Sequence, residues 1–206
     1  MPATEQQPED TAPGTPRGGA GRRVSVRALL LLVVIALGVY GIDQLAKTLI
    51  VRGMQEGQTI PLLGPVLQLH YVTNSGAAFS FANGYTWVFS IVAVGVIVAI
   101  VWFARRIRSL AWATMFGLVL GGALGNLTDR LFRPPGFGQG HVVDFISIGL
   151  FPAIFNVADM GITFGVAVFV VLSLRGTGID GSRAVIRKPA PVADGDAADR
   201  PPTSKD

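Results

Sequence analysis

Two aspartates, Asp144 and Asp159, stand in the stretch His141–Gly161, HVVDFISIGLFPAIFNVADMG, which is otherwise almost wholly apolar. After Asp159 the fifteen residues Met160 to Leu174 carry no charge. An ionised carboxylate set in hydrocarbon costs roughly 2.5–3.5 kcal/mol on insertion scales, so intramembrane carboxylates are usually functional or paired. If the two face each other, they cannot both ionise cheaply and share one proton near neutral pH. The ionised member can then take a proton from a water, and the neutral member can hydrogen-bond to and later protonate a scissile amide. That chemistry is peptide hydrolysis by activated water, with no metal, cofactor or covalent intermediate. Rivals are few: there is no cysteine and no G-x-S-x-G, and Ser75 in TNSGAAFS has no obvious base. With His70 and His141 as the two histidines and no HExxH spacing, a zinc protease site is not expected.

Other polar residues gather at the same depth. Asp43 is late in the first apolar run, and Asn126, Asp129 and Arg130 are late in the third. Asn156 and Asp159 are early in the fourth. Asn126, Asp129 and Arg130 are spaced i, i+3, i+4 and share a helix face, as do Asn156 and Asp159. Structural readings stand beside the chemical ones. Asp129 with Arg130 reads as an ion pair, Asp43 with Lys47 as another, and the two asparagines as helix-to-helix glue. His70 reads as a solvated strand residue and His141 as a loop residue. Gly117, Gly121 and Gly125 form a small-xxx-small stripe for close helix packing.

The elements that must position these groups are membrane spans. The chain has 206 residues, half of them hydrophobic and 15% charged, well below the ~25% charge of a soluble domain. Four segments reach the ~20 apolar residues that cross a bilayer: Ala28–Val51, Tyr85–Ala104, Ser109–Leu131 and Ala153–Leu174, the last with Asp159 in its second turn. The first is not read as a cleaved signal peptide, because a long tail precedes it and no A-x-A site follows its core. Residues 1–27 and 176–206 are rich in Pro, Gly and charge and are expected to be disordered tails flanking a membrane unit at 28–175. Arg17, Arg22, Arg23 and Arg27 precede the first span, Arg105, Arg106 and Arg108 separate the second and third, and Arg175, Arg183, Arg187 and Lys188 follow the fourth. This bias places both termini in the cytoplasm and the polar residues near the outer face. The net charge of +4 thus reports topology, and no nucleic-acid partner is expected.

VLQLHYVT (66–73) alternates with period two between turn signals, which predicts a strand in a small sheet at the outer surface. FSFANGYTW brings aromatics to interfacial depth. RPPGFGQG within 132–152 has the composition of a mobile loop that covers the site. The expected fold is therefore an all-α membrane protein: four transmembrane helices, a small extracytoplasmic β-sheet and disordered cytoplasmic tails. A proton- or cation-coupled transporter would use the same carboxylates, but the halves do not repeat and the polar residues keep to one side. A non-catalytic assembly subunit is a third reading.

Four motifs in order, TNSGAAFSF (73–81), GGALGNLTDR (121–130), VVDFI (142–146) and FNVADMGI (155–162), together with DQLAK (43–47), resemble the bacterial lipoprotein signal peptidase family, also called signal peptidase II. The resemblance covers roughly residues 28–175. It implies an aspartyl endopeptidase of the bacterial inner membrane that removes signal peptides from prolipoproteins, cutting before a cysteine that carries diacylglycerol. Asp144 and Asp159 match the family's catalytic dyad. Asp43, Asn74, Gly76, Asn126, Asp129, Arg130, Asn156 and Ala158 match positions that shape the site or hold substrate. The resemblance further implies inhibition by globomycin, contact with membrane lipid and no cofactor, and the protein is expected to act as a monomer.

Overall fold

The computed structural model describes residues 24–76, 86–149 and 151–182. Four helices are long and apolar enough to cross a membrane: α1 Val26–Gly53, α2 Thr86–Ala104, α3 Leu110–Phe132 and α4 Val157–Leu174. The side chain of Ser25 caps α1 by accepting from the Ala28 N–H at 3.3 Å. The first three helices lie within two residues of the apolar runs.

The fourth does not. Ile154–Phe155, apolar enough to read as helix, form a short strand, and α4 begins after them with Asn156 as its N-cap. Asp159 therefore sits in the first turn of α4, not the second.

Helix α3 is the centre of the bundle: 56% of its most apolar window is buried, against 22% or less for the other three. Its glycines make this possible. A Cβ on Gly121 would meet the Ala36 carbonyl oxygen of α1 at 2.6 Å, and one on Gly125 would meet Asp43 Oδ2 at 2.5 Å. The stripe thus seats α1 directly on α3 and brings Asp43 to the α3 backbone. At the end of the bundle opposite the sheet, Ala28, Leu32, Ile100, Ile107, Trp112, Ala113, Met115 and Leu172 form an apolar core.

The sheet has four antiparallel strands in the order β1 Thr59–Leu63, β2 Leu67–Asn74, β3 Val142–Ile148 and β4 Ile154–Phe155. The alternating stretch 66–73 is β2 within one residue. The strand β3 lies where a loop was expected. Val142 to Phe145 are all buried, so the segment shows no apolar–polar alternation. Alternation of side chains along β3 sends Val143 and Phe145 to one face, where they join Ile50 and Met54 at the end of α1, and Asp144 to the other. In register, Val72 lies opposite Asp144 and Asn74 opposite Val142.

Two connecting segments also depart from expectation. Residues 133–140 are tied down: Gly140 N–H donates to the Arg130 carbonyl at 2.9 Å, and Ser90 Oγ donates to the Gly138 carbonyl at 3.3 Å. Backbone bonding to α3 and a bond to α2 pin this turn, in place of the free cover its composition suggested. Residues 176–182, grouped with the C-terminal tail, are likewise held. The Ile179 carbonyl accepts from Arg108 N at 3.1 Å and Ser109 N at 3.2 Å, and Trp112 Nε1 donates to the Thr177 carbonyl at 3.0 Å. Likewise Val24 and Ser25 and the first residues of α1, grouped with the N-terminal tail, belong to the helix and its cap. Residues 1–23 and 183–206, expected to be disordered, and residues 77–85 of the aromatic stretch lie outside the described residues.

Candidate active site

The site is built on a buried ion cluster. Asp43 and Lys47 are one turn apart on α1, and the salt bridge expected between them is present at 2.8 Å, both side chains fully buried. Lys47 Nζ also bridges to Asp129 Oδ2 at 2.8 Å and donates to Asn126 Oδ1 at 3.0 Å. Three acceptors thus meet its three N–H groups. Asp129 Oδ1 pairs with Arg133 Nε at 2.6 Å, and its Oδ2 accepts from the Val143 N–H at 3.2 Å. Asp43 Oδ1 accepts from the Ala158 N–H at 2.9 Å. A buried charge is tolerable only when paired and hydrogen-bonded, and these are both. The cluster pins α1, α3, β3 and the start of α4 to one another. Ala158 is fully buried, and its Cβ lies against Gly125, so a small residue is required at that crossing.

The expected pairing of Asp129 with Arg130 does not form. Neighbours on a helix point about 100° apart, and Asp129 turns toward Lys47 and Arg133. Arg130 instead lies over the Phe89 ring at 5.5 Å and donates weakly from Nη1 to the Asn126 carbonyl at 3.4 Å. Its Nε has no hydrogen-bond partner among the described residues. Asp159, Asp144 and Asp129 are all near enough to act on its charge.

The two remaining carboxylates meet neutral donors. Asp144, 2% exposed, accepts from Asn156 Nδ2 at Oδ1 (2.6 Å) and from Asn74 Nδ2 at Oδ2 (2.8 Å). Asp159 accepts from Asn126 Nδ2 at Oδ1 (2.8 Å) and from the Asn156 backbone N–H at Oδ2 (3.1 Å). Asn156 closes the capping box by accepting from the Asp159 N–H at 3.0 Å. One residue therefore starts α4 and holds both carboxylates.

Each amide has its orientation set by a partner of one kind. Lys47 can only donate, so Asn126 must turn its oxygen toward Lys47 and its NH₂ toward Asp159. The oxygen of Asn74 accepts from the Gly76 N–H at 2.8 Å, which turns its NH₂ to Asp144. Gly76 has φ +90°, a conformation open to glycine and strained for other residues.

Burial pushes the Asp144 carboxyl up to about 6, and the nearby Asp159 charge adds to the rise. The Asn74 and Asn156 hydrogen bonds act in the opposite direction. Beside Asp159 opens a cleft of about 410 Å³, walled by the apolar side chains of Ile148, Phe155, Met160 and Phe164.

All ten residues singled out from the sequence fall in this one region, eight bonded through their side chains and Gly76 and Ala158 through their backbone N–H groups. Lys47 was absent from that set, although it touches three of its members. Its i, i+4 spacing from Asp43 was the available signal, read as a local pair only.

Comparison with known proteins gives a consistent result. The family model described as Signal peptidase (SPase) II matches residues 35–175. A lipoprotein signal peptidase of Leifsonia xyli subsp. xyli is 54% identical over 184 residues, covering 87% of this chain and 85% of that one. One of Rhodococcus jostii is 48% identical over 185 residues, covering 89% and 93%. Among solved structures, a bacterial membrane enzyme determined by the in meso method at 1.9 Å aligns with TM-score 0.65 at 29% identity, covering 75% of this chain and 97% of that one. A second, at 2.3 Å, aligns with TM-score 0.64 at 27% identity, covering 79% and 97%.

Proposed function

The chain belongs to the signal peptidase II family, a family of membrane proteases that remove signal peptides from prolipoproteins, and on that premise we propose that Asp144 and Asp159 form its aspartic dyad. The observation that carries this reading is Asn156. Its side chain donates to Asp144 at 2.6 Å while its backbone N–H donates to Asp159 at 3.1 Å, so one residue couples the two carboxylates. The comparisons give the transporter reading no support.

The roles follow from the surroundings. Asp144, raised to about 6 by burial, is suited to carry the dyad's proton. Asp159, held by two donors, acts as the base. A water oxygen bonds to the scissile carbonyl carbon as Asp159 takes its proton, and Asp144 gives its own proton to the carbonyl oxygen. Collapse of the resulting gem-diol breaks the C–N bond. The leaving nitrogen takes the proton from Asp159, and Asp144 regains one from a diol hydroxyl. Arg130, with donor capacity to spare beside the dyad, is placed to bind a substrate oxygen. Asp43, Asp129, Asn126, Asn156, Asn74, Gly76 and Ala158 shape and orient the site.

The scissile bond is the one preceding a diacylglyceryl-modified cysteine, and the apolar-walled cleft beside Asp159 fits a substrate of that kind. The enzyme is a multi-pass protein of the cytoplasmic membrane. Arg27, Arg105, Arg106, Arg108 and Arg175 cluster at the bundle end opposite the sheet, which favours cytoplasmic termini and a dyad near the outer face. The peptidase unit runs from the α1 cap at Ser25 through the fastened segment 176–182, and one chain holds every site residue, as a monomeric enzyme requires.

The test is purified enzyme, beside Asp144→Asn and Asp159→Asn checked for folding, given a diacylglyceryl-modified prolipoprotein. Wild type should cut before the lipidated cysteine and both variants should be inert. Cutting by both variants would show the carboxylates to be structural.

A further inference from the structure

The functional reading leaves unused a crevice at the end of the bundle opposite the sheet. It has a volume of about 380 Å³ and no polar surface, and its walls include Ile100 and Phe103 of α2, Trp112 and Phe116 of α3, and Phe169 of α4. The segment after α4 contributes Ile179 to the wall. That segment is fastened there by the Trp112 indole to the Thr177 carbonyl and by the Arg108 and Ser109 N–H groups to the Ile179 carbonyl. Ile179 also packs on the apolar core of Trp112, Ala113 and Met115.

Two helix faces lead from the dyad toward the crevice. On α3, Asn126, Ala123, Val119, Phe116 and Trp112 follow one another at spacings of three, four, three and four. On α4, Asp159, Ile162, Val166 and Phe169 follow at three, four and three. Such spacing keeps one stripe on one side of a helix. Each stripe begins at a site residue and ends in the wall of the crevice.

Fourteen residues separate Asn126 from Trp112, which at ~1.5 Å per residue is ~21 Å. A signal peptide carries an apolar region of ~7–15 residues before its cleavage site. As a helix, the upper end of that range is the length between the dyad and the crevice floor.

We infer that the α2–α3–α4 crevice receives the apolar helix of the substrate's signal peptide, and that the 177–179 segment is its floor, setting how long that helix can be. This rests on the protease reading above. Ile179 and Trp112 are thus specificity-determining residues far from the dyad. An apolar helix that is too long must either push this segment off the start of α3 or carry its cleavage site past the carboxylates.

The experiment uses the full chain in lipid nanodiscs and a series of diacylglyceryl-modified precursors whose apolar regions run from ~8 to ~18 residues. Wild type should show a fall in kcat/KM beyond ~14 residues. Ile179→Ala deepens the crevice and should raise kcat/KM for long precursors relative to short ones about tenfold, the scale of a few lost apolar groups in a pocket, with the change carried in KM. Trp112→Phe keeps a ring but removes the bond to Thr177 and should move the profile the same way by less. Superimposable length profiles in the three enzymes would overturn the inference.

A second arm needs no substitution. A precursor with a photoreactive residue at the amino end of its apolar region should form adducts on wild-type residues 112–116 or 177–179. Adducts confined to phospholipid would show the crevice to be filled by lipid acyl chains, adducts confined to another part of the chain would place the signal-peptide helix there, and either would overturn the inference. If wild type leaves every precursor uncut, the protease reading falls and the inference with it. Cutting with an unmoved profile overturns the inference and leaves the protease reading in place.

Discussion

Four carboxylates from four elements meet in this site, and they form two groups that differ in the kind of partner they have. Asp43 and Asp129 are paired to cations, Lys47 and Arg133, and to the backbone N–H groups of Ala158 and Val143. Asp144 and Asp159 are bonded to amides alone: the side chains of Asn74, Asn126 and Asn156 and the backbone of Asn156. A cation partner joins a carboxylate to a second element by charge as well as by hydrogen bonding. Neutral amide donors orient a carboxylate without adding a counter-charge beside it. The first pair is therefore suited to joining helices and the second to acid–base chemistry, although all four are aspartates at similar depth.

The comparison can be broken most directly by neutralising each group in turn. On the proposed mechanism each carboxylate moves a proton, so Asp144→Asn and Asp159→Asn should each lower turnover by about 10³-fold or more. Thermal unfolding should shift far less than activity does. If stability collapses with activity, the two groups are not distinct.

The converse variant comes next. Lys47→Met leaves Asp43 and Asp129 buried with one of their cations gone, which should cost about 3–5 kcal/mol of stability. Loss of melting temperature in detergent, read beside activity per folded molecule, checks this. An unchanged melting temperature would remove the structural role from the cluster.

Asn156→Ala removes the cap of α4 and the side-chain bond to Asp144 together. Cap loss alone should cost about 1 kcal/mol, and turnover should fall with KM little changed. Backbone amide exchange in the first turn of α4 should rise in parallel. Exchange that stays slow would uncouple cap from dyad.

The smallest effect concerns pH. With Asp144 as the protonated member, kcat/KM should fall as pH rises through about 6. Asn74 donates to the ionised form of Asp144, so Asn74→Ala removes a stabiliser of that form and the proton is held to higher pH. The falling limb should therefore move to higher pH. A shift to lower pH would assign the proton to the other carboxylate.

These distinctions were only partly legible in the chain itself. Three spans stand out because predominantly apolar runs of that length have no other use, and β2 because one of its faces is more polar than the other. The strand β3 is buried on both faces, so VVDFISI shows no alternation to read. The start of α4 was misplaced because Ile154 and Phe155 are as apolar in a strand as in a helix, and only pairing with β3 separates the two. The cap at Asn156 was present as N-x-x-D, yet the pair was read as two residues on a helix face. What could not be read at all was partner type. Asp129 has an arginine beside it in the chain and chooses two other cations, brought to it by α1 and by the turn of α3.

The capping box at the start of α4 has a consequence for the surrounding bilayer. Its two reciprocal bonds lie within four consecutive residues, from Asn156 to Asp159. The link from Asn156 to Asp159 thus belongs to the first turn of the helix and that to Asp144 runs to β3, so neither depends on how far the rest of α4 extends. Membranes of differing thickness are accommodated chiefly by helix tilt, at a fraction of a kcal/mol per Å of mismatch. Tilting α4 about its capped end would swing its distant residues and leave that first turn intact. The enzyme should then tolerate a thinner or thicker membrane with its dyad geometry unchanged, because the site is referenced to where the helix begins.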